Sequence, residues 1–427
     1  GDAALLARAA LGLGGAFEAR LFDAELVDLL EEALAGLESG HPTLRARLLA
    51  RLSMALHLND PRGRRTRLSE EALELARTSG DTGVLASCLS ARFFALWGPG
   101  HAEERLRAAA ETLRLAEEQA DRELALDGLT WTIMELLERG ERQALELRLA
   151  RHATLAEALR HPLHRYYAHM WQAMLAALDG RFAEAEELAR RTAVQGEPLT
   201  DLAFPRRSIL LLTVYRDQGR LAELADDADA VVERYPLFHV WRVYHALLRL
   251  ELGDEEPARR VLSEMAAHPA EAVPQEGNWV FGMVGLAELC ATLSDAGPAA
   301  SLSEVLAPYG QRCAMVRFAV ACWGSVARSL GLLSTLLGDW DGAVRHYEAA
   351  IAQNTALGAR PFLARTQCDF ARMLVRRGGP GDAARAGQLL DAALATAVEL
   401  GMGPLAAACK ESTRTKEQAP GNGPTSA

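Results

Sequence analysis

Residues 338–351 read Gly338-Asp-Trp-Asp-Gly-Ala-Val-Arg-His-Tyr-Glu-Ala-Ala-Ile351, a turn followed by a helix-forming run. Ala343, Tyr347 and Ala350 follow one another at spacings of four and three residues. That spacing places small residues and one aromatic ring on a single face of an α-helix. Leu330-Gly331 lies in a second apolar run just before the turn. The stretch therefore predicts two amphipathic helices that are joined by a tight turn and pack closely.

Similar turns recur along the chain at a nearly constant interval. Gly180 to Ala185 and Gly253 to Ala258 repeat the spacing of Gly338 to Ala343, and the turns from Gly140 to Gly378 are about 40 residues apart. A period of this length is typical of arrays of helical pairs. The sequence therefore predicts about ten helical hairpins, at residues 3–38, 42–79, 81–120, 122–158, 162–196, 205–234, 237–267, 277–308, 316–357 and 361–401.

The composition of the 427 residues favours helices throughout. Isoleucine occurs only at Ile133, Ile209 and Ile351, and aromatic residues make up 6% of the chain. Strands prefer β-branched and aromatic residues, whereas Ala, Leu, Arg and Glu, which dominate this chain, are strong helix formers. The predicted fold class is therefore all-α.

The spacing of glycine, alanine and the aromatic residue resembles that of the tetratricopeptide repeat, most clearly at residues 327–350. This resemblance implies a right-handed α-solenoid of about ten antiparallel hairpins, with repeats longer than the usual ~34 residues. We expect one repeat domain at 1–410, with weaker repeats at 1–140 and clearer ones at 141–404. Residues 411–427 are poor in apolar side chains, which predicts a disordered tail.

The longer repeats and the final 75 or so residues are similar to the sensor arm of actinobacterial multidomain regulators of the signal-transduction ATPase and LuxR type. This resemblance implies a non-catalytic cytoplasmic domain that binds a small-molecule inducer or a protein partner in a concave groove. It would then control a neighbouring ATPase or transcriptional output domain in a longer chain. Two alternatives stay open, namely a free-standing adaptor that binds peptides or proteins and an enzyme built on a helical scaffold. A homo-oligomer also stays open.

In tetratricopeptide arrays the first helix of each pair lines the concave surface. With the turn glycine of each hairpin as the reference point, the family's inward-facing positions can be assigned to residues of this sequence. These positions are mostly apolar with a few arginines, which suits an adaptable surface that captures carboxylates or phosphates. By this resemblance the groove residues are Tyr167, Met170, Met174, Arg206, Ile209, Thr213, Val240, Val243, Leu247, Ser325, Arg328 and Leu332.

Several chemistries are absent from the sequence. Lysine occurs only at Lys410 and Lys416, so neither a P-loop nor the lysine-containing carboxylate clamp of peptide adaptors is present, and we expect no cofactor. His161, His164 and His169 lie close together, but their spacing does not match a helical pair of metal ligands, so we expect no metal site.

The remaining motifs are interpreted as structural. The six cysteines include no C-x-x-C pair and are expected to be buried free thiols of a reducing compartment. The basic cluster of residues 62–67 is interpreted as a solvated loop, because the net charge of −11 argues against direct binding of nucleic acid. No signal peptide and no apolar run of membrane-spanning length is present.

Overall fold

The computed structural model of the chain describes residues 3–13, 23–37, 40–57, 60, 63–98, 100–236, 238–265, 269–272 and 277–418. The chain is all-α and is built of successive antiparallel helical hairpins, the arrangement of an α-solenoid. It divides into two compact units. Unit 1 comprises Gly1–Leu137, Gln143–Trp171 and Arg190–Arg207, and unit 2 comprises Glu138–Arg142, Gln172–Ala189 and Ser208–Ala427.

The helices follow the predicted hairpins closely. In chain order they are α1 (Ala3–Gly12), α2 (Ala24–Gly36), α3 (Pro42–Ala55), α4 (Arg64–Ser79), α5 (Thr82–Ala95), α6 (Ala102–Glu118), α7 (Arg122–Glu138), α8 (Arg142–Ala158), α9 (Pro162–Asp179), α10 (Phe182–Gly196), α11 (Ala203–Gln218), α12 (Ala225–Arg234), α13 (His239–Glu251), α14 (Glu256–Met265), α15 (Pro269–Ala272), α16 (Trp279–Leu293), α17 (Ala299–Leu306), α18 (Val326–Leu337), α19 (Trp340–Leu357), α20 (Arg360–Arg377), α21 (Asp382–Leu400) and α22 (Gly403–Gln418). Two short strands, β1 (Cys313–Met315) and β2 (Cys322–Ser325), precede α18.

Turn chemistry sets the helix boundaries. Gly338 ends α18 with a φ of 73°, a left-handed conformation that glycine adopts without a steric penalty. Asp339 then caps α19, and its carboxylate accepts a hydrogen bond of 3.0 Å from the amide of Gly342. The predicted turn between these two helices is confirmed in detail.

Close packing within hairpins depends on small residues facing aromatic ones, as the 338–351 stretch predicts. A Cβ atom added at Gly331 of α18 would lie 2.8 Å from the ring of Tyr347 on α19. Tyr347 is fully buried and stacks on Phe370 of α20 with ring centroids 5.3 Å apart. The glycine therefore gives the tyrosine ring its space, and the ring joins successive hairpins.

Unit 1 has an apolar core that runs through its hairpins. Leu30, Leu48 and Leu52 form the part contributed by the first helices. Further along, Trp131 of α7 stacks on Phe93 of α5 at 4.9 Å, and its indole nitrogen donates to Ser90 Oγ at 2.8 Å. The buried indole is thus both packed and hydrogen-bonded, which a buried tryptophan requires.

Unit 2 closes upon itself, because its last hairpins pack against its first elements. A Cβ atom added at Gly180 would lie 2.6 Å from the side chain of Leu400, and one at Gly219 would lie 3.0 Å from Pro404. Arg142 also donates to the carbonyl of Leu357 at 3.4 Å. In each hairpin of unit 2, the inner side of the first helix is therefore directed toward other residues of unit 2.

The structure differs from the sequence prediction at residues 316–325, which were expected to begin a helix. They form part of an antiparallel hairpin of β1 and β2, linked by a 3-10 turn over Arg317–Ala319. Valine and aromatic side chains favour extended backbone here, and Ser325 starts α18 by accepting a hydrogen bond from the amide of Ala327 at 3.1 Å.

The C-terminal region also differs, since α22 continues to Gln418 rather than ending before the predicted tail at 411. Cys409 is fully buried, and the hydroxyls of Ser412 and Thr413 bond to carbonyls one turn earlier. Arg372 of α20 donates to Ser412 at 3.1 Å, which attaches this turn to the unit. Residues 419–427 of the predicted tail lie outside the described residues.

Within the described ranges, no helix combines the length and the apolar character needed to cross a bilayer.

Candidate functional site

The interior of unit 2 contains a set of charged side chains, which we call the inner network. All of them lie on the first helices of successive hairpins, and all except the exposed Glu251 are largely withdrawn from solvent. The inner network consists of Arg216 and Asp217 on α11, Glu251 on α13, Glu288 on α16, Arg328 on α18, and Arg365 and Asp369 on α20.

Glu288 is the centre of the inner network. Its two oxygens lie 2.6 Å from Arg216 and 2.5 Å from Arg328. Each arginine has a second carboxylate partner, Glu251 at 2.6 Å for Arg216 and Asp369 at 2.8 Å for Arg328. Guanidinium groups suit this role because they stay charged and can donate to two carboxylates at once.

Electrostatics keeps Glu288 charged despite its burial. Burial by itself favours the neutral acid, but the charges of Arg216 and Arg328 outweigh it, and the pKa of Glu288 falls to about 2. The pKa of each of the two arginines is raised, because their carboxylate partners outweigh burial. At neutral pH these three groups are therefore ionised.

A second ion pair joins α11 to α20 within unit 2. Arg365 of α20 donates to Asp217 of α11 with its Nε at 2.8 Å and a terminal nitrogen at 2.5 Å, across 148 residues of sequence. Burial raises the pKa of Asp217 although Arg365 opposes the rise. With this pair included, three arginines face four carboxylates in the inner network, so its formal charge is close to balanced.

An aromatic cluster lies beside the inner network. Trp323 of β2 makes edge contacts with Tyr244 at 4.7 Å and Phe281 at 5.5 Å, while Phe362 lies 6.4 Å away. The guanidinium of Arg216 lies 5.1 Å from the centroid of the Trp323 ring, within the range of a cation–π contact. The cluster therefore links β2 to the charged groups.

The twelve predicted groove residues are placed on the expected first helices or beside them, but apart from the partly buried Leu332 they are buried. Tyr167 and Met170 lie in unit 1, where Tyr167 stacks on Trp171 at 5.9 Å. Arg206 is also in unit 1, and its guanidinium lies 5.6 Å from the Tyr167 ring. Their part in binding a ligand stays a prediction.

The remaining predicted residues lie in unit 2, and two of them belong to the site. Thr213 accepts a hydrogen bond of 2.9 Å from the indole of Trp323, and Arg328 is a member of the inner network. Ser325 caps α18 and approaches Gln353 at 2.5 Å. Packing positions are held by Met174, Ile209, Val240, Val243 and Leu247.

Sequence reasoning missed most of the inner network. Of its members only Arg328 is identified from the sequence, whereas Glu288, Asp217, Arg365 and Asp369 belong to no sequence motif described above. A charged residue in the middle of the apolar helix α16 was the available signal, because an isolated carboxylate is rarely buried without a partner.

Unit 1 contains a pair of buried histidines. His152 Nε2 lies 2.9 Å from His164 Nδ1, and the ring of His161 lies 4.6 Å from that of His164. Burial, followed by the neighbouring histidines, lowers the pKa of His152 to about 3 and that of His164 to about 2. Asp127 lies 3.6 Å from His164 Nε2, but burial raises the pKa of this carboxyl to about 7, so near neutral pH it is partly protonated and does less to stabilise a charged imidazole.

Metal binding is not suggested by the part of the chain that the structure describes, where no group of three or more His, Cys, Asp or Glu side chains could hold an ion. The predicted burial of the cysteines is confirmed, since all six are buried free thiols. In the basic cluster, Arg64 pairs with Glu31 at 2.7 Å and the amide of Arg65 bonds to Asp60. Arg62 lies outside the described residues.

No protein-family model matches the chain, and no curated protein matches its sequence. Among solved structures, the chain is similar to a "circular tandem repeat protein with novel repeat topology and enhanced subunit contact surfaces". The two share 17% identity over 98% of this chain and 94% of that one, with a TM-score of 0.17. At these values the assignment of an all-α helical-repeat fold rests on the helices described above.

Proposed function

We propose that this chain is a non-catalytic interaction domain that recognises a small-molecule inducer or a protein partner at the inner face of unit 2. The observation that carries the proposal is the inner network itself. Charged groups in a protein interior often contribute no more stability than apolar side chains of the same volume would. Six such groups on four helices, with the exposed Glu251 beside them, therefore favour a role beyond holding the fold together.

The chemistry of the inner network indicates what kind of ligand it would recognise. Arg328 is shared between Glu288 and Asp369, so an incoming carboxylate or phosphate has a guanidinium for which it can compete. If a ligand carboxylate or phosphate replaced Glu288 or Asp369 as the partner of Arg328, α18 would shift relative to α16 or α20. Ligand binding would in this way be converted into a change in the packing of successive hairpins.

Catalysis is less well supported by the same groups. A general acid or base works best with a pKa near the operating pH. Glu288 is held ionised by two arginines, and the lowered pKa values of His152 and His164 keep both rings neutral near pH 7. These perturbed groups are thus poorly suited to transferring protons, which favours binding over an enzymatic role.

The proposal that the domain serves a cytoplasmic bacterial regulator rests on the sequence resemblance. Reading the coding sequence on both sides of residues 1–427 tests this part. An adjacent ATPase module with a P-loop would support a sensor arm, whereas a start codon at residue 1 would favour a free-standing adaptor.

The binding role is tested by thermal-shift measurements with a panel of small carboxylates, small phosphates and acidic peptides. The comparison protein is the triple variant Glu288→Leu, Arg328→Met, Asp369→Leu, which replaces the centre of the inner network by apolar side chains and leaves Arg216 and Arg365 with their other partners. We expect at least one compound to stabilise the wild type and not the triple variant. Equal shifts for both proteins across the panel would contradict the proposal.

A further inference from the structure

Residues 313–325, which we call the inner hairpin, fill part of the inner face of unit 2. The segment comprises β1, the 3-10 turn over Arg317–Ala319 and β2, and every one of its residues is buried. Its two strands contact one another and the helices α16, α19 and α20, and among the described residues they join no larger sheet. The inner hairpin is therefore an extended segment enclosed by helices.

The surrounding helices hold the backbone of the inner hairpin at two points through asparagine side chains. Asn278 Oδ1 accepts a hydrogen bond of 2.9 Å from the amide of Arg317, and Asn354 Oδ1 accepts one of 2.9 Å from the amide of Ser325. The amide group of Asn354 is oriented by a 3.1 Å hydrogen bond to Thr366. Capture of main-chain amides does not depend on the side chain of the captured residue, so these contacts suit other extended segments equally.

Specificity in this arrangement comes from the Trp323 side chain. Its ring contacts Tyr244 and Phe281, its indole N–H donates to Thr213, and the guanidinium of Arg216 lies over it. Buried aromatic anchors with a satisfied polar atom dominate the energetics of recognition sites. The pocket thus combines an apolar wall with one hydrogen-bond acceptor.

Immediately after the anchor, space allows only glycine. A Cβ atom added at Gly324 would lie 2.6 Å from Asn354 Oδ1 and 2.8 Å from Phe362, and the φ of Gly324 is 68°. A ligand that replaced the inner hairpin in the same pose would need tryptophan followed by glycine.

The inner hairpin is short, and part of its backbone is strained. Its strands contain three and four residues with an irregular register, and the amides of Val316 and Val326 donate to the carbonyls of Ala321 and Arg312 at 2.8 and 2.9 Å. Phe318 and Ala319 adopt φ values of 61° and 54°, in the left-handed region, which costs about 1–3 kcal/mol for each non-glycine residue. This strain lowers the free energy needed to remove the segment from the helices.

We propose that the inner face of unit 2 is a binding site for an extended, tryptophan-anchored peptide and that the inner hairpin occupies it in the free protein. The inference rests on the proposed function and deepens it by naming the ligand class, a partner segment containing Trp-Gly. A partner peptide would displace the inner hairpin, take the two asparagine contacts and place its tryptophan edge-on against the stacked rings of Tyr244 and Phe281. The inner hairpin is then an intramolecular competitor of the partner.

The test uses a fluorescein-labelled synthetic peptide with the sequence of residues 311–326, added to the full chain and followed by fluorescence anisotropy. The Trp323→Ala variant should bind this peptide at least about tenfold more tightly than the wild type, because its own hairpin has lost the anchor. The same peptide with alanine in place of tryptophan should not bind. No saturable binding to a folded Trp323→Ala variant, or equal binding of both peptides, would overturn the proposal.

Hydrogen exchange on the wild-type chain keeps the proposal testable if Trp323→Ala fails to fold. The amides of residues 313–325 should exchange through a shared local opening, faster than the central amides of α16 and α18. If the amide protons of residues 313–325 exchanged only through global unfolding, the proposal would be overturned. If the peptide fails while the thermal-shift panel still distinguishes the triple variant, the inference falls and the proposed function stands; if the panel fails as well, both fall.

Discussion

Trp323 donates its indole N–H to Thr213 Oγ1 across 2.9 Å, although 110 residues separate the two positions in the sequence. The contact joins β2 to the part of α11 that belongs to unit 2, from Ser208 onward. It places the inner hairpin against the same helix that supplies Arg216 and Asp217 to the inner network. The inner network and the inner hairpin are therefore attached to one helix.

Thr213→Val should destabilise the protein, because it preserves the shape of the side chain and leaves a buried indole N–H without an acceptor. An unsatisfied buried donor costs about 1–3 kcal/mol. The free energy of unfolding of unit 2, measured by urea denaturation, should fall by that amount. Thr213→Ser keeps the hydroxyl and serves as the control. A valine variant as stable as the serine variant would show that the hydrogen bond contributes little.

Arg328→Met should destabilise unit 2 strongly. It removes one partner from the buried Glu288 and one from Asp369, and breaking a buried ion pair on one side costs about 3–5 kcal/mol. Chemical denaturation measures the loss. The matched control is Arg114→Met, which removes an exposed pair with Glu118 and should change stability by about 0.5 kcal/mol or less. Similar losses for the two variants would contradict the role assigned to the inner network.

Unit 1 should lose stability as the pH falls below about 6.5. His152 and His164 have pKa values of about 3 and about 2 in the folded protein and an ordinary value when unfolded. At pH values between the ordinary histidine pKa and these lowered values, the two histidines are protonated in the unfolded chain and neutral in the folded chain. The two histidines therefore lower the free energy of unfolding toward acid, by up to about 1.4 kcal/mol per pH unit each, and the raised pKa of Asp127 offsets part of this decrease.

Thermal unfolding from pH 8 to pH 5, followed by circular dichroism, measures this dependence. His164→Gln should flatten it, because one of the two neutral rings is replaced by a side chain that does not titrate. His101→Gln alters an exposed histidine and should keep the wild-type slope. Identical slopes for His164→Gln and the wild type would mean that the buried pair does not set the acid response.

Gly128→Ala should destabilise unit 1, although the same change within most helices stabilises by about 0.5–1 kcal/mol. The added Cβ would lie 2.8 Å from the Cα atom and 2.9 Å from the amide nitrogen of Leu113, and a backbone cannot move aside cheaply. We expect a loss of about 1–3 kcal/mol in urea denaturation. Gly36→Ala, whose nearest neighbour is Ala3 at 3.8 Å, is the control and should be neutral or stabilising.

Local sequence patterns were sufficient to predict most of the helices and turns, apart from residues 316–325 and the helix α22. Gly331 and Tyr347 are paired as their spacing indicated, and Gly338 and Asp339 end one helix and begin the next. These features depend on residues within one hairpin, where distance along the chain determines distance in space. The all-α fold class is confirmed for the same reason.

The candidate site could not be predicted in the same way. Glu288 meets Arg328 across 40 residues, and Asp217 meets Arg365 across 148. Such pairs depend on how the hairpins of unit 2 close upon one another, which a repeat period does not specify. The inner hairpin was missed because its Ala and Val residues fit a buried helix as well as a strand, so periodicity did not separate the two.

The central claim is that the inner network recognises a ligand, and isothermal titration calorimetry tests it most directly. The compound with the largest thermal shift is titrated into the wild type and into the triple variant Glu288→Leu, Arg328→Met, Asp369→Leu. We predict saturable binding to the wild type and an affinity lower by about tenfold or more in the folded triple variant, a loss of at least about 1.4 kcal/mol. Equal affinities for the two proteins would contradict the account.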